Sequence, residues 1–383
     1  MNNLLSVRFS LVLSIVLIPF TFASFEPTPD TPSAVRLVST AGTDAGTCEF
    51  FPCATIAYAI NQSASNDTIQ VAAGTYTEAG ITIDNNITII GEGADKTIVQ
   101  AGATPPASDR VFYIDTGHNV RIQGITIRNG YITGRGGGIR VDGSSLTLIE
   151  VTVDNNTSSN TISGDGGGIY VREGGLGMEG CTLSNNFASG GGGGIYLYYS
   201  SASMVNTTFS GNRANKSGGA IGTLSDDPEN IWLYYITIYD NSVRENGGGM
   251  QLESRFSAYI LNSIVAGNNA GMKGPDIFGE IISQDYNLIG NTSDATIAGS
   301  TTHNITGQDA KLGSLQNNGG STLTHALLQS SPAIDAAICR NPLHDQRDQI
   351  RPIDKPEIVN VADGCDIGAY EDSLKVNLPL VMK

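Results

Sequence analysis

Between Gly134 and Asn268 the chain repeats one pattern five times, and a repeat of that length admits few folds. Each unit opens with a glycine-rich run that closes on an apolar residue: Gly136-Gly137-Gly138-Ile139, Gly166-Gly167-Gly168-Ile169, Gly192-Gly193-Gly194-Ile195, Gly218-Gly219-Ala220-Ile221 and Gly247-Gly248-Gly249-Met250. Each closes with an apolar residue three before an asparagine: Val153/Asn156, Leu183/Asn186, Phe209/Asn212, Ile238/Asn241 and Val265/Asn268. The asparagines step by 30, 26, 29 and 27 residues. A period of that size marks a solenoid, in which no repeat buries its apolar side alone.

Apolar residues alternate after each glycine run (Ile139/Val141, Ile169/Val171, Ile195/Leu197) and again before each asparagine (Val151/Val153, Cys181/Leu183, Ile236/Ile238). Period two in both arms means strands, and no unit carries a helical apolar period. Strands stacked turn on turn make parallel sheets around one interior, a parallel β-helix. Between the inward residues sit Arg140, Tyr170, Tyr196, Gly222 and Gln251, expected to point outward. The asparagines tolerate left-handed backbone and can form a side-chain ladder along one corner.

Residues 1–23 read as a signal peptide: one cation (Arg8), an apolar run from Leu11 to Phe20, then Thr21-Phe22-Ala23. Its removal predicts a protein with no membrane insertion, secreted or held at a bacterial cell surface. Export suits two disulfides. Cys48 and Cys53 are close enough to pair, Cys339 and Cys365 bracket one loop-rich segment, and the register points the odd Cys181 into the core. The full chain carries 21 basic and 37 acidic residues, and loss of Arg8 leaves 20 against 37, or −17. Such a surface repels nucleic acid and anionic membrane.

After a proline-containing leader (24–33), Ala54–Ile60 reads as a short amphipathic helix, Asp67–Val71 as a strand and Gly74–Thr77 as its turn. Further strands fall at Ile87–Ile90, Val111–Ile114 and Val120–Ile127. Helix, then DTIQVAAGTYTE, then ITIDNNITIIGEG resembles the N-terminal cap and first coils of right-handed β-helix proteins of the pectate-lyase-like superfamily. The repeats are similar to those of chlamydial polymorphic outer-membrane proteins; Gly218-Gly219-Ala220-Ile221 and Phe209-Ser210-Gly211-Asn212 match their two motifs literally. From Asp285 to Glu371 the chain resembles the choice-of-anchor Q domain of bacterial secreted β-helix proteins. Asn317–Gly320, Ser331–Asp335, Asp345–Arg347, Arg351-Pro352 and Cys365–Glu371 carry that match, with Ala337 and Asp348 where the family commonly has glycine.

Together these readings predict an all-β, right-handed parallel β-helix with a short N-terminal helical cap and a loop-rich, disulfide-linked C-terminal cap. The segments run 34–130 (cap and first coils), 131–284 (repeats), 285–371 (C-terminal coils and cap) and 372–383 (tail).

Polysaccharide lyases and hydrolases of this fold need carboxylates from neighbouring turns stacked on one outer face. Here the acids fall at different repeat positions, and Glu253 with Arg255 is the best acid–base pair. An exposed pair is a weak signal of chemistry. The aromatics point elsewhere. Tyr170 and Tyr196 hold the same position on successive turns, with stacking expected at about 4.8 Å. Tyr198 and Trp232, with Tyr199, Tyr234 and Tyr235, add aromatic surface suited to sugar rings or protein partners. Outward threonines (Thr152, Thr182, Thr208, Thr237) form a structural ladder, and variable loops follow each asparagine. No cofactor is implied, although loop Asp and Asn residues would allow weak Ca²⁺ binding. The expectation is a monomeric, non-catalytic, adhesin-like binding module for glycan or a cell-surface protein. The alternatives are a polysaccharide lyase or glycoside hydrolase of the pectate-lyase-like superfamily and a structural envelope protein.

Overall fold

The computed structural model describes residues 33–102, 109–160 and 162–372. The signal peptide (1–23), leader residues 24–32 and tail residues 373–383 lie outside the described residues.

Four parallel ladders share one coil, giving an all-β, right-handed parallel β-helix of about eight turns. The glycine-run strands form the first ladder, from Ile81–Ile83 through Ile139–Asp142, Ile169–Arg172, Ile195–Tyr198 and Ile221–Leu224 to the start of Ile277–Gln284. The second runs from Val35–Val38 to Ala295–Ser300, and the third from Gly74–Thr77 to Ile305–Thr306. Gly74–Thr77 is therefore a strand, where the sequence reading made it a turn. The fourth ladder joins two-residue strands, Tyr131–Ile132 to Asn269–Ala270, inside the loops that follow the asparagines. Ala188, Ala214 and Val243 give it a small core of its own.

Register is fixed by burial. Ile139, Ile169, Ile195, Ile221, Met250 and Ile277 stack on one line with 0% exposure, so a one-residue slip would put every one of them in water. Glycine makes the corner possible. Gly166 sits at φ +66°, and a Cβ on Gly167 would lie 2.5 Å from the Gly193 carbonyl oxygen of the next turn. A sixth unit, Gly274-Pro275-Asp276-Ile277, continues the line with Gly274 at φ +59°.

The asparagine corner is a continuous buried ladder. Asn156, Asn186, Asn212 and Asn241 each donate Nδ2–H to the Oδ1 of the next asparagine at 2.9–3.0 Å. Asn268 closes the series on the Asp276 carboxylate at 2.8 Å. Left-handed backbone belongs to the residue before each asparagine: Asn155, Asn185, Gly211, Asp240 and Gly267. The ladder residues keep ordinary geometry because their amides must point inward.

At the N-terminal end, Ile56–Asn61 forms the only α-helix among the described residues, capped by Thr55 and by the Glu78 carboxylate, which accepts from the Ile56 and Ala57 amides. Its buried side, Ile56, Ala59 and Ile60, joins the interior core. The Cys48–Cys53 disulfide loop covers the outer edge of Val35–Val38, exchanging backbone hydrogen bonds with Leu37 and Ser39.

The C-terminal cap lies along the flank of the coil. Its inner surface covers the threonine ladder: Thr182 donates to the Leu323 carbonyl (2.6 Å), Thr208 to Gln346 Oε1 (2.6 Å), and Thr237 accepts from the Ala369 amide (3.0 Å). Gln346 Nε2 reaches the Cys181 carbonyl and the Thr182 hydroxyl. Behind this seam the motif residues form one buried charge network. Arg347 pairs with Asp345 (2.6 Å) and Arg351 with Glu371 (3.2 Å), while Asp366 accepts from the Asp335 and Asp372 amides. The Cys339–Cys365 disulfide fastens it.

Candidate functional site

Each rung of the first ladder places one side chain outward between two buried apolar neighbours. In register this column reads Tyr113, Arg140, Tyr170, Tyr196, Gly222, Gln251 and Phe278. Two residues further along each strand, a second column reads Asp142, Arg172, Tyr198 and Leu224. Stacking turns tens of residues apart in the chain thus sets arginines beside tyrosines.

Tyr170 and Tyr196 stack in register with planes within 6°, but their ring centroids lie 6.1 Å apart, wider than the expected strand spacing. They do not form an open platform. Tyr170 is wholly buried and Tyr196 retains 8% exposure, because the loops after the asparagines fold over them. Arg135, from such a loop, lies 5.2 Å over the Tyr170 ring and 5.9 Å over Tyr198, and pairs with Asp165 at 3.2 Å. Tyr198 stacks on Tyr170 at 6.5 Å and stays half-exposed, so it is the accessible edge of the group. The Tyr170 hydroxyl is buried without a hydrogen-bond partner, and burial pushes its pKa up to about 12. Burial raises Tyr196 as well.

One turn earlier, Asp142 sits at 2% exposure between Arg140 (2.8 Å) and Arg172 (3.2 Å). Arg110 and Arg140 both approach the Tyr113 ring at 5.8 Å. Arg110 Nε is buried with no acceptor, and burial lowers its pKa. The face therefore combines flat aromatic surface, guanidinium donors and orphaned polar atoms. Three of its acids are already engaged: Asp142 by two arginines, Asp165 by Arg135, and Glu253 by the Gln251 amide. That arrangement can hold a hydroxyl-rich ligand.

Of the other expected residues, Glu253 borders this face, near enough for its charge to act on Tyr196, and the rest fall elsewhere. Glu253 accepts from Gln251 Nε2 (2.9 Å), and among the described residues it forms no ion pair with exposed Arg255. Trp232 stacks on Tyr259 at 6.1 Å on the outer face of the second ladder, so it does not extend the Tyr170 group. Tyr235 is buried under the C-terminal segment, with Arg351 4.1 Å over its ring. Both expected disulfides form, and Cys181 is a buried free thiol whose pKa burial pushes up to about 12. The three-residue group of potential metal ligands found among the described residues, Cys339, Asp363 and Cys365, contains one of those disulfides and is no metal site. The arginines were missed in the sequence. Arg110, Arg135 and Arg172 share no repeat position, and Arg140 was placed outward without its partners.

Comparison with known proteins places this geometry in context. The family model described as "Right handed beta helix region" matches residues 110–301, 192 of the 383 residues. No curated protein matches the chain. Among solved structures, the pectate lyase Pel9A is similar at 15% identity over 89% of this chain and 97% of its own, with a TM-score of 0.44. A rhamnogalacturonan lyase is similar at 13% identity over 78% and 96%, with a TM-score of 0.40. The pectin methylesterase PemA from Erwinia chrysanthemi is similar at 14% identity over 70% and 82%, with a TM-score of 0.36.

Proposed function

The chain belongs to the right-handed β-helix family, and from that premise we propose that it is an exported, non-catalytic, adhesin-like protein that binds glycan on the outer face of its first ladder. The observation that carries this reading is the arginine–tyrosine group around Tyr170. Arg135 covers two tyrosine rings and leaves Tyr198 as the accessible one. Sugars offer both complements: apolar ring faces for Tyr198 and hydroxyls for the part-exposed guanidinium groups of Arg135 and Arg172. The engaged state of Asp142 and Asp165 supports binding over cleavage. Export is supported by two disulfides in the folded unit, which suit an oxidising compartment. A bacterial cell surface is the corresponding location, and a surface protein is the other partner this face would fit.

The test is co-elution of the mature protein with a panel of soluble plant and bacterial polysaccharides. Arg135→Ala and Tyr198→Ala should each weaken binding about tenfold, the loss of one cation–π or aromatic contact of roughly 1–1.5 kcal/mol. Retained binding in both variants would remove this face from the reading.

A further inference from the structure

The two ends of the coil are finished differently. At the N-terminal end the edge of Val35–Val38 is closed by the Cys48–Cys53 loop: Leu37 N–H donates to the Cys48 carbonyl (2.7 Å), and the Cys53 N–H donates to the Leu37 carbonyl (2.9 Å). At the other end the last rung of the second ladder, Ala295–Ser300, pairs with Ile277–Gln284 on one side. Among the described residues nothing pairs with its other side. The C-terminal segment, which could have closed this end, is spent along the flank.

That edge has the character of an unfinished interface. Ile297 lies in register with fully buried Ile281 and packs on the end of the interior core, yet it is only half-buried because no rung follows. Exposed edges with unpaired N–H and C=O groups template the addition of another strand, and proteins block them with lysine, proline or bulges. Lysine and proline are absent from this strand, and Gly299, at φ +83°, is its one residue of positive φ. From Ala295 to Gln308 the sequence carries no Asp, Glu, Lys or Arg, in a chain of net charge −16. Two copies so acidic repel each other except where an uncharged surface meets its like.

We infer that this rung is a self-association edge, and that two copies pair end to end through antiparallel Ala295–Ser300 strands. The side chains set the register. Ala295 and Ile297 pack on the interior core, and Thr296 and Ala298, which alternate with them, face outward. A two-fold axis through residue 297 keeps both faces matched. It sets Thr296 opposite Ala298 and brings the two Ile297 side chains together over the open ends of both interiors. This departs from the single-chain expectation of the sequence.

Sedimentation equilibrium of the full mature chain at roughly 100 µM, enough to populate a micromolar dimer, reads the outcome directly. The wild type should sediment at twice the chain mass. The outward pair Thr296→Lys with Ala298→Lys sets lysine against lysine and should halve that mass. Thr296→Lys with Ala298→Glu is self-complementary in the proposed register and should keep the double mass, which separates a lost interface from a damaged fold. A wild type at single-chain mass would overturn the proposal, as would a double-lysine variant that remains dimeric. A wild type that gains mass only when envelope extract is added would assign the edge to another chain and overturn self-pairing.

Discussion

The Tyr170 hydroxyl and the Asn212 amide sit equally deep and differ in one respect: the amide has partners. A buried hydroxyl without one carries a desolvation cost of about 1–3 kcal/mol. Tyr170→Phe should therefore hold or raise the unfolding free energy, by up to about 1 kcal/mol, and leave glycan binding unchanged, because the hydroxyl is out of a ligand's reach. Denaturant titration beside a binding isotherm checks both, and loss of stability would mean that the hydroxyl is satisfied. Asn212 is the opposite case. Its side chain serves the Asn186 amide and backbone, the Leu183 carbonyl and Asn241. Asn212→Ala should cost about 2–4 kcal/mol, and a loss below 1 kcal/mol would contradict a cooperative ladder. Residue spacing made the asparagine line and the inward Cys181 legible, because each depends on its own repeat. What covers Tyr170 was not legible. Period two says which way a side chain points and nothing about loops that fold over it from other turns.

Elements show the same division. The glycine corner identifies five rungs, and the sixth escapes because Pro275 and Asp276 replace the second and third small residues while Gly274 alone keeps the positive φ. The seam between the C-terminal segment and the threonine ladder joins residues more than 100 positions apart, as between Thr208 and Gln346. No local pattern announces it. Gln346→Leu keeps the volume and strands the Thr208 hydroxyl, at about 1–3 kcal/mol, while the Cys181 carbonyl keeps the Thr208 amide. Limited proteolysis should then release the C-terminal segment before the coil is cut, and simultaneous cutting of both would show that the seam does not hold it. The two disulfides should differ. Cys339–Cys365 spans 26 residues and Cys48–Cys53 spans 5, so chain entropy gives about 3.5 against about 2 kcal/mol. Separate serine pairs, compared by thermal unfolding, test that order.

Across the whole molecule, buried carboxylates set an unusual pH response. Burial raises Glu78, Asp276, Asp335, Asp366 and Glu371 above their unfolded values of 3.8 (Asp) or 4.5 (Glu). Each binds its proton more tightly folded, so its stabilising contribution is complete below the unfolded value and is lost as pH rises through the folded one. Asp67 and Asp285 run the other way. Burial opposes them, but hydrogen bonds from Arg36 and His303 outweigh it, so their contribution is present above 3.8 and is lost as pH falls through their folded values. His325 also runs that way: burial holds its pKa below 6.5, so its contribution is present above 6.5 and is lost as pH falls through the folded value. Against these three groups stand the five raised carboxylates and the relief of a net charge of −16 on acidification. The melting temperature should hold or rise between pH 7 and about pH 5, where most acidic proteins gain little; a steady fall would contradict this. The account's central claim is binding without cleavage, and polymer length tests it most directly. Each polysaccharide that co-elutes with the mature protein would be incubated with it, with and without Ca²⁺, and its size distribution followed over time. The account predicts a polymer that remains intact while bound; a polymer that shortens would contradict it.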